Sequence, residues 1–327
     1  MKKASMEAST SSLDFKDRTR VIAALGVLLL LVGIPVGFLG PLEMYCFYLF
    51  AEGGRFHYEG FGFGSFMFGN IASQIMGYYL IAVILVPLGY GHLKMRRWAR
   101  TLALTLLWSW LVVGAPLIVV VFFILAASKD LSVPAALIAL VFLGLSYLVF
   151  PALLIRFYQG RNVKRTFETH DGRSYWIEAL PMPILVLSSL YLFYTVVLHI
   201  LILFNGIFPV FGVFTFGLQG ILLLDISVAC LICLAWGTLR RRMWAWWSAV
   251  IFLGLFTFST LLTFFRASYS TILSGLAFPP REIEFLGGLP VQGYHFAILV
   301  GIPLLITWGV AILSRRHFGT GQRVLKR

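Results

Sequence analysis

The sequence predicts an all-α integral membrane protein with eight transmembrane helices, both ends in the cytoplasm, built as two parallel four-helix repeats in tandem. Three observations carry that expectation. Apolar residues fill 60% of the 327 positions and charged residues only 12%. That is about half the charge of a soluble domain, so too little polar surface remains for a chain wetted on all sides. The apolar residues gather in eight runs of about 20, the length that crosses roughly 30 Å of hydrocarbon. The cations cluster at the ends of those runs and keep to one side. Helices are the natural spanning form, because backbone amides in hydrocarbon must be satisfied within the segment. A membrane barrel would instead show alternating segments of about ten residues.

A polar leader, 1–20, places Lys2, Lys3, Lys16, Arg18 and Arg20 ahead of the first run, 21–38. That run is long for a signal peptide and no A-x-A cleavage signal follows it, so it reads as a retained helix. The next three runs are 68–88, 101–125 and 133–155, closing a first half at 21–160. A cytoplasmic linker covers 161–182. The second half, 183–320, holds runs 184–204, 211–234, 245–265 and 295–313, and a basic tail follows at 321–327. Placing the leader in the cytoplasm puts 22 of the 26 Lys and Arg residues on that side. Only Arg55, Lys129, Arg266 and Arg281 fall elsewhere. This is the positive-inside bias, repeated at every loop, and it indicates a plasma membrane of the bacterial inner-membrane type. The linker mixes Arg161, Lys164 and Arg165 with Glu168, His170, Asp171 and Glu178. Its cations would meet anionic headgroups of the inner leaflet. The net charge of +13 therefore belongs to lipid surfaces, and no soluble face is long enough to bind nucleic acid.

The halves resemble each other. Tyr90-Gly91-His92-Leu93-Lys94-Met95-Arg96-Arg97-Trp98-Ala99 follows the second run, and Trp236-Gly237-Thr238-Leu239-Arg240-Arg241-Arg242-Met243-Trp244-Ala245 follows the sixth, at an offset of 146. Four helices per half is an even number, so the halves point the same way, as in parallel-repeat transporters. A plain role suffices for the motif: Gly ends a helix, the basic cluster holds the turn in the cytoplasm, and Trp anchors the next helix at the interface.

Asp225 is the sharpest candidate residue. It sits near the middle of the sixth run, where a carboxylate costs about 2.5–3.5 kcal/mol and usually faces a bundle interior or a cavity. Its two readings are a protonatable or ligand-contacting acid and a neutral acid bonded to a neighbouring helix. His199 in the fifth run is within about 6 Å of its depth, at 1.5 Å per residue. Asn70, Ser73 and Gln74 add a polar patch on the second run, of the kind that bonds across helices. His295 starts the eighth run; metal-ligand spacing is missing around it, and neither a metal nor another cofactor is expected.

Two outward loops complete the inventory. The first, at 39–67, holds the acids Glu43, Glu52 and Glu59 and the alternating stretch Gly60-Phe61-Gly62-Phe63-Gly64. Aromatic rings settle at the headgroup level. The second, at 266–294, carries Pro279-Pro280-Arg281-Glu282, and its apolar 272–278 stretch is expected to dip into the interface. Cys230 and Cys233 form a C-x-x-C within an apolar run, where small polarisable packing is the simpler role. Zinc-protease, nucleophile-elbow and phosphate-loop motifs are all missing. The expectation is a transport or binding protein, or an accessory subunit, with a site between the halves near Asp225. A membrane enzyme acting at the outer face on lipid or lipid-linked substrate, through Glu43, Glu52 and Glu59, is the alternative.

Overall fold

In a computed structural model, residues 15–51, 53–127 and 132–319 are described. The helices are α1 (Thr19–Phe50), α2 (Phe66–Leu93), α3 (Arg97–Ala127), α4 (Val133–Gln159), α5 (Arg161–His170), α6 (Met182–Ile202), α7 (Gly217–Leu239), α8 (Met243–Arg266), α9 (Tyr269–Leu276), α10 (Pro280–Gly287) and α11 (Gly293–Leu313). Eight of them, α1–α4, α6–α8 and α11, are long and apolar enough to cross a membrane. The protein thus has the build of an all-α, multi-pass membrane protein.

Three elements depart from the sequence expectation. First, α1 continues to Phe50 through Pro35 and Pro41, so Glu43 rides on a helix and the following loop is short. A ridge of glycines explains the extension. Any Cβ at Gly26 would meet the His92 Cβ at 2.9 Å, at Gly33 the Leu85 Cβ at 2.9 Å, and at Gly40 the Tyr79 ring at 2.7 Å. Bare backbone lets α1 lie on α2 along its whole length, the close approach that small residues permit in membranes, and that packing outweighs two prolines. Second, the all-α expectation misses a small hairpin, β1 (Phe208–Val210) against β2 (Val213–Thr215), antiparallel with Val210 opposite Val213. The sixth run was expected to be helical from Phe211. Instead Phe211 and Gly212 both take positive φ, at 41° and 103°, the turn geometry that matches strand twist. Two hydroxyls of α8 hold it: Ser259 Oγ accepts from Phe211 N at 2.9 Å, and Thr263 Oγ1 accepts from Gly212 N at 2.9 Å. Third, Ile272, Leu273, Leu276 and Phe278 are buried in a cluster with Phe66, Phe204, Phe264 and Phe296. This stretch turns into the protein rather than into the lipid interface.

Packing centres on the second half. α6 pairs with α7, α8 pairs with α11, and α3 bridges the halves by touching α11 and α6. Half of α6's spanning window is buried, against 11% for α2 and for α4, so the core lies around α6. Leu187, Leu190, Leu224, Leu231, Leu253 and Leu304 fill it. Cross-helix bonds pin it: Tyr194 Oη and Thr307 Oγ1 are 2.7 Å apart, and Trp246 Nε1 donates to Ala311 O at 2.9 Å. α4 contains a π turn at Leu145–Val149. Pro151 has no N–H for the Tyr147 carbonyl, the backbone widens, and the Tyr147 ring stacks on Trp110 at 5.0 Å.

The Arg-rich turns share one face. After α2, Lys94 N, Met95 N and Arg96 N donate to the carbonyls of Tyr90, His92 and Gly91; after α7, Arg240, Arg241 and Arg242 donate to Trp236, Thr238 and Gly237 in the same pattern. Met95 and Arg241 both take positive φ, at 49° and 53°. On this face α5 lays Val163 and Phe167 into a cluster with Ile22, Leu88 and Ala99. Asp171, 2% exposed, accepts from Arg97 N at 3.2 Å, Arg173 N at 3.2 Å and Tyr175 Oη at 3.1 Å, and pairs with Arg96 at 3.5 Å. The linker is therefore a folded amphipathic helix with a clamp behind it. Gly319 N reaches Arg241 O at 3.0 Å, and Arg18 N reaches Thr166 Oγ1 at 3.1 Å, so both described ends lie on this basic face.

Candidate functional site

The opposite face carries a cleft of about 740 Å³ between the two halves. The first half supplies Glu59, Phe63 and Ser65; the second supplies Asn205, Phe278 and Arg281. Local chemistry shapes each wall. Gly60 and Gly64 bend the loop with φ of 83° and 94°, conformations that favour glycine. A Cβ at Gly60 would approach the Pro279 ring at 2.8 Å, so the loop packs directly on the second half. Ser65 is the N-cap of α2, its Oγ accepting from Phe68 N at 3.2 Å. Pro280, in the first turn of α10, suits a position whose N–H has no helical partner.

Glu282 fastens the two walls. Its carboxylate, 3% exposed, accepts from Phe66 N at 2.6 Å and Met67 N at 3.0 Å, across 216 and 215 residues. Those amides open α2 and have no partner within it. The Tyr58 phenol is pushed above its ordinary range by burial first and then by the neighbouring Glu282 carboxylate. Tyr58, Phe66, Glu282 and Phe285 border a second recess of about 350 Å³.

The mouth is held differently. Arg281 and Glu59 stand 3.5 Å apart, with side chains 76% and 78% exposed. An exposed pair of this kind is worth about 0–1 kcal/mol, so either charge is free to turn toward a ligand. The cleft thus offers a cation, a carboxylate, an amide and a hydroxyl along an aromatic wall. A volume of about 300–1,000 Å³ suits small-molecule sites.

The residues singled out from sequence are placed apart. Asp225 is exposed on the outside of α7, with no hydrogen bond or ion pair among the described residues. His199 is exposed on α6, and its Nδ1–H donates to Thr195 O at 2.7 Å. The two do not bond to each other, and neither lines the cleft. Gln74 Oε1 accepts from Tyr78 Oη at 3.3 Å, and Asn70 O accepts from Ser73 Oγ at 2.9 Å, both within α2. Glu43 is half-buried on α1. Glu52 lies outside the described residues. Of the two described loop acids, Glu59 lines the cleft and Glu43 does not. Cys230 and Cys233 are free thiols, and among the described residues no group of three His, Cys, Asp or Glu converges on a metal position. Sequence reading passed over Asn205, Arg281 and Glu282 as site residues. The signal available was the Pro-Pro-Arg-Glu string, a helix start that carries two charges.

Fold and cleft together define a multi-pass membrane protein with an open recess that sets Glu59 and Arg281 beside aromatic side chains. No protein-family model, curated protein or solved structure matches the chain.

Proposed function

We propose that the protein is a membrane-embedded binding protein, or the binding subunit of a transport assembly, that receives the polar end of an amphiphilic ligand in this cleft. It resides in the plasma membrane with both ends cytoplasmic, because the turns rich in Lys and Arg share one face and the cleft lies on the other. Its two halves are tandem four-helix repeats; the matched hydrogen bonds and matched positive φ of the turns after α2 and α7 support that reading. The single observation that carries the function is the cleft itself: an aromatic wall beside a loosely held Glu59–Arg281 pair. A polar headgroup could displace that pair while its apolar part lies along Phe63 and Phe278. Among the described residues one carboxylate lines the cleft, and Glu282 behind it is already occupied by two amides. General acid–base work at a glycosidic bond ordinarily needs two free carboxyl groups, so binding is favoured over catalysis.

Native mass spectrometry of the protein from nanodiscs containing phosphatidylglycerol and phosphatidylethanolamine tests this. Wild type retains lipid, while Arg281→Ala combined with Glu59→Ala loses about tenfold in occupancy, the scale of one charge-assisted contact. Equal retention by the double variant would remove the cleft as the site.

A further inference from the structure

Asp225 poses a problem that the single chain does not solve. It lies on the exposed side of α7 beside Leu222 and Ile226, which are 53% and 60% exposed, in a helix built to cross a bilayer. Other exposed faces need only lipid: that of α4 presents Val133, Leu137, Ile138, Val141 and Phe142. A carboxylate at this depth needs a polar partner, and none is present among the described residues.

His199 is the complementary group, exposed on the neighbouring helix of the same hairpin. Its Nδ1–H is committed to Thr195 O, which leaves Nε2 as an acceptor without a partner among the described residues. The depths agree. Gly206 lies level with Ile221, whose N would be 3.0 Å from a Cβ there. From that level Asp225 is four helical residues down, while Gly206 N donates to Leu201 O at 3.1 Å and His199 lies two helical residues below Leu201, descents of about 6 and 3 Å at 1.5 Å per residue. The difference is less than one turn.

We propose that a second copy of this chain packs against the α6–α7 face, with Asp225 of each copy bonded to His199 of the other. A two-fold axis along the membrane normal keeps both copies at one depth. In such an isologous contact each residue meets its complement twice. The bond is the same whether the proton rests on the carboxyl or on Nε2, so it suits hydrocarbon either way. Leu218, Leu222, Leu192 and Trp236, all exposed by more than half, cover the rest of the contact. The charge pair chooses the occupant: this chain carries both halves of it.

The test is the subunit stoichiometry in nanodiscs, with dimer dissociation followed by dilution into excess lipid. Wild type should be dimeric. Asp225→Ala and His199→Ala should each weaken the dimer about tenfold or more, since each contact is lost twice. The two changes together should cost little beyond either alone. The exchange of Asp225→His with His199→Asp should restore the dimer, which separates pairing from misfolding. A monomeric wild type, a dimer indifferent to both substitutions, or a different subunit held through Asp225 would each overturn the proposal.

Discussion

Two buried carboxylates do the fastening in this protein, and each makes a prediction. Glu282 supplies acceptors for two amides that α2 cannot satisfy itself. Glu282→Gln retains one acceptor and turns an NH2 toward the other amide; Glu282→Ala leaves both bare. Each buried polar group left unpaired costs about 1–3 kcal/mol. Thermal unfolding in nanodiscs should therefore rank wild type above Glu282→Gln and Glu282→Ala lowest. A Glu282→Ala protein melting with wild type would mean that the cap contributes nothing. Asp171 adds a pH dependence. Burial by itself would raise its pKa, but the amides of Arg173 and Arg97, the Tyr175 hydroxyl and the Arg96 guanidinium outweigh burial and hold the carboxyl below the usual carboxylate range. A lowered folded-state pKa contributes stability above the unfolded value of about 3.9 and loses it as pH falls through the folded value. Melting temperature should drop between about pH 5 and pH 3, and Asp171→Asn should show a smaller drop over that interval. A parallel decline in both proteins would assign the acid sensitivity elsewhere.

Among the elements, the paired basic turns are the most constrained. Any Cβ at Gly91 would lie 2.7 Å from the Ala99 Cβ and 2.9 Å from the Trp98 ring; at Gly237 it would lie 2.7 Å from the Ala245 Cβ and 2.7 Å from the Trp244 ring. Glycine at these positions does more than end a helix: it admits the indole that follows the turn. Gly91→Ala and Gly237→Ala should each destabilise by about 1–3 kcal/mol through overpacking. Combined, their effects should add, as they do for independent sites. Urea or thermal melts of the single and double variants check both points, and a neutral substitution in either turn would show that the indole can shift aside.

At the scale of the molecule, orientation is the testable quantity. In a cysteine-free background, an impermeant maleimide should label Glu59→Cys on intact cells and should leave Lys164→Cys untouched; the reverse pattern would invert the topology. The eight spans were legible because length and apolarity alone decide them. Direction around each helix was not. Lipid-facing and core-facing side chains of α7 are both apolar, so no periodicity shows which way Asp225 points. The hairpin at 208–215 was hidden within a continuous apolar stretch, and only its Pro and Gly hinted at it. The cleft was illegible for a different reason: Glu59 and Arg281 stand far apart along the chain, and no local pattern joins them. The long reach of Glu282 has a bearing on biogenesis. A ribosome delivers the head of α2 long before residue 282 emerges, so the early hairpin waits uncapped while five more crossings are threaded. A nascent protein halted short of that point would keep this end loose, and quality-control proteases could tell an unfinished subunit from a finished one there.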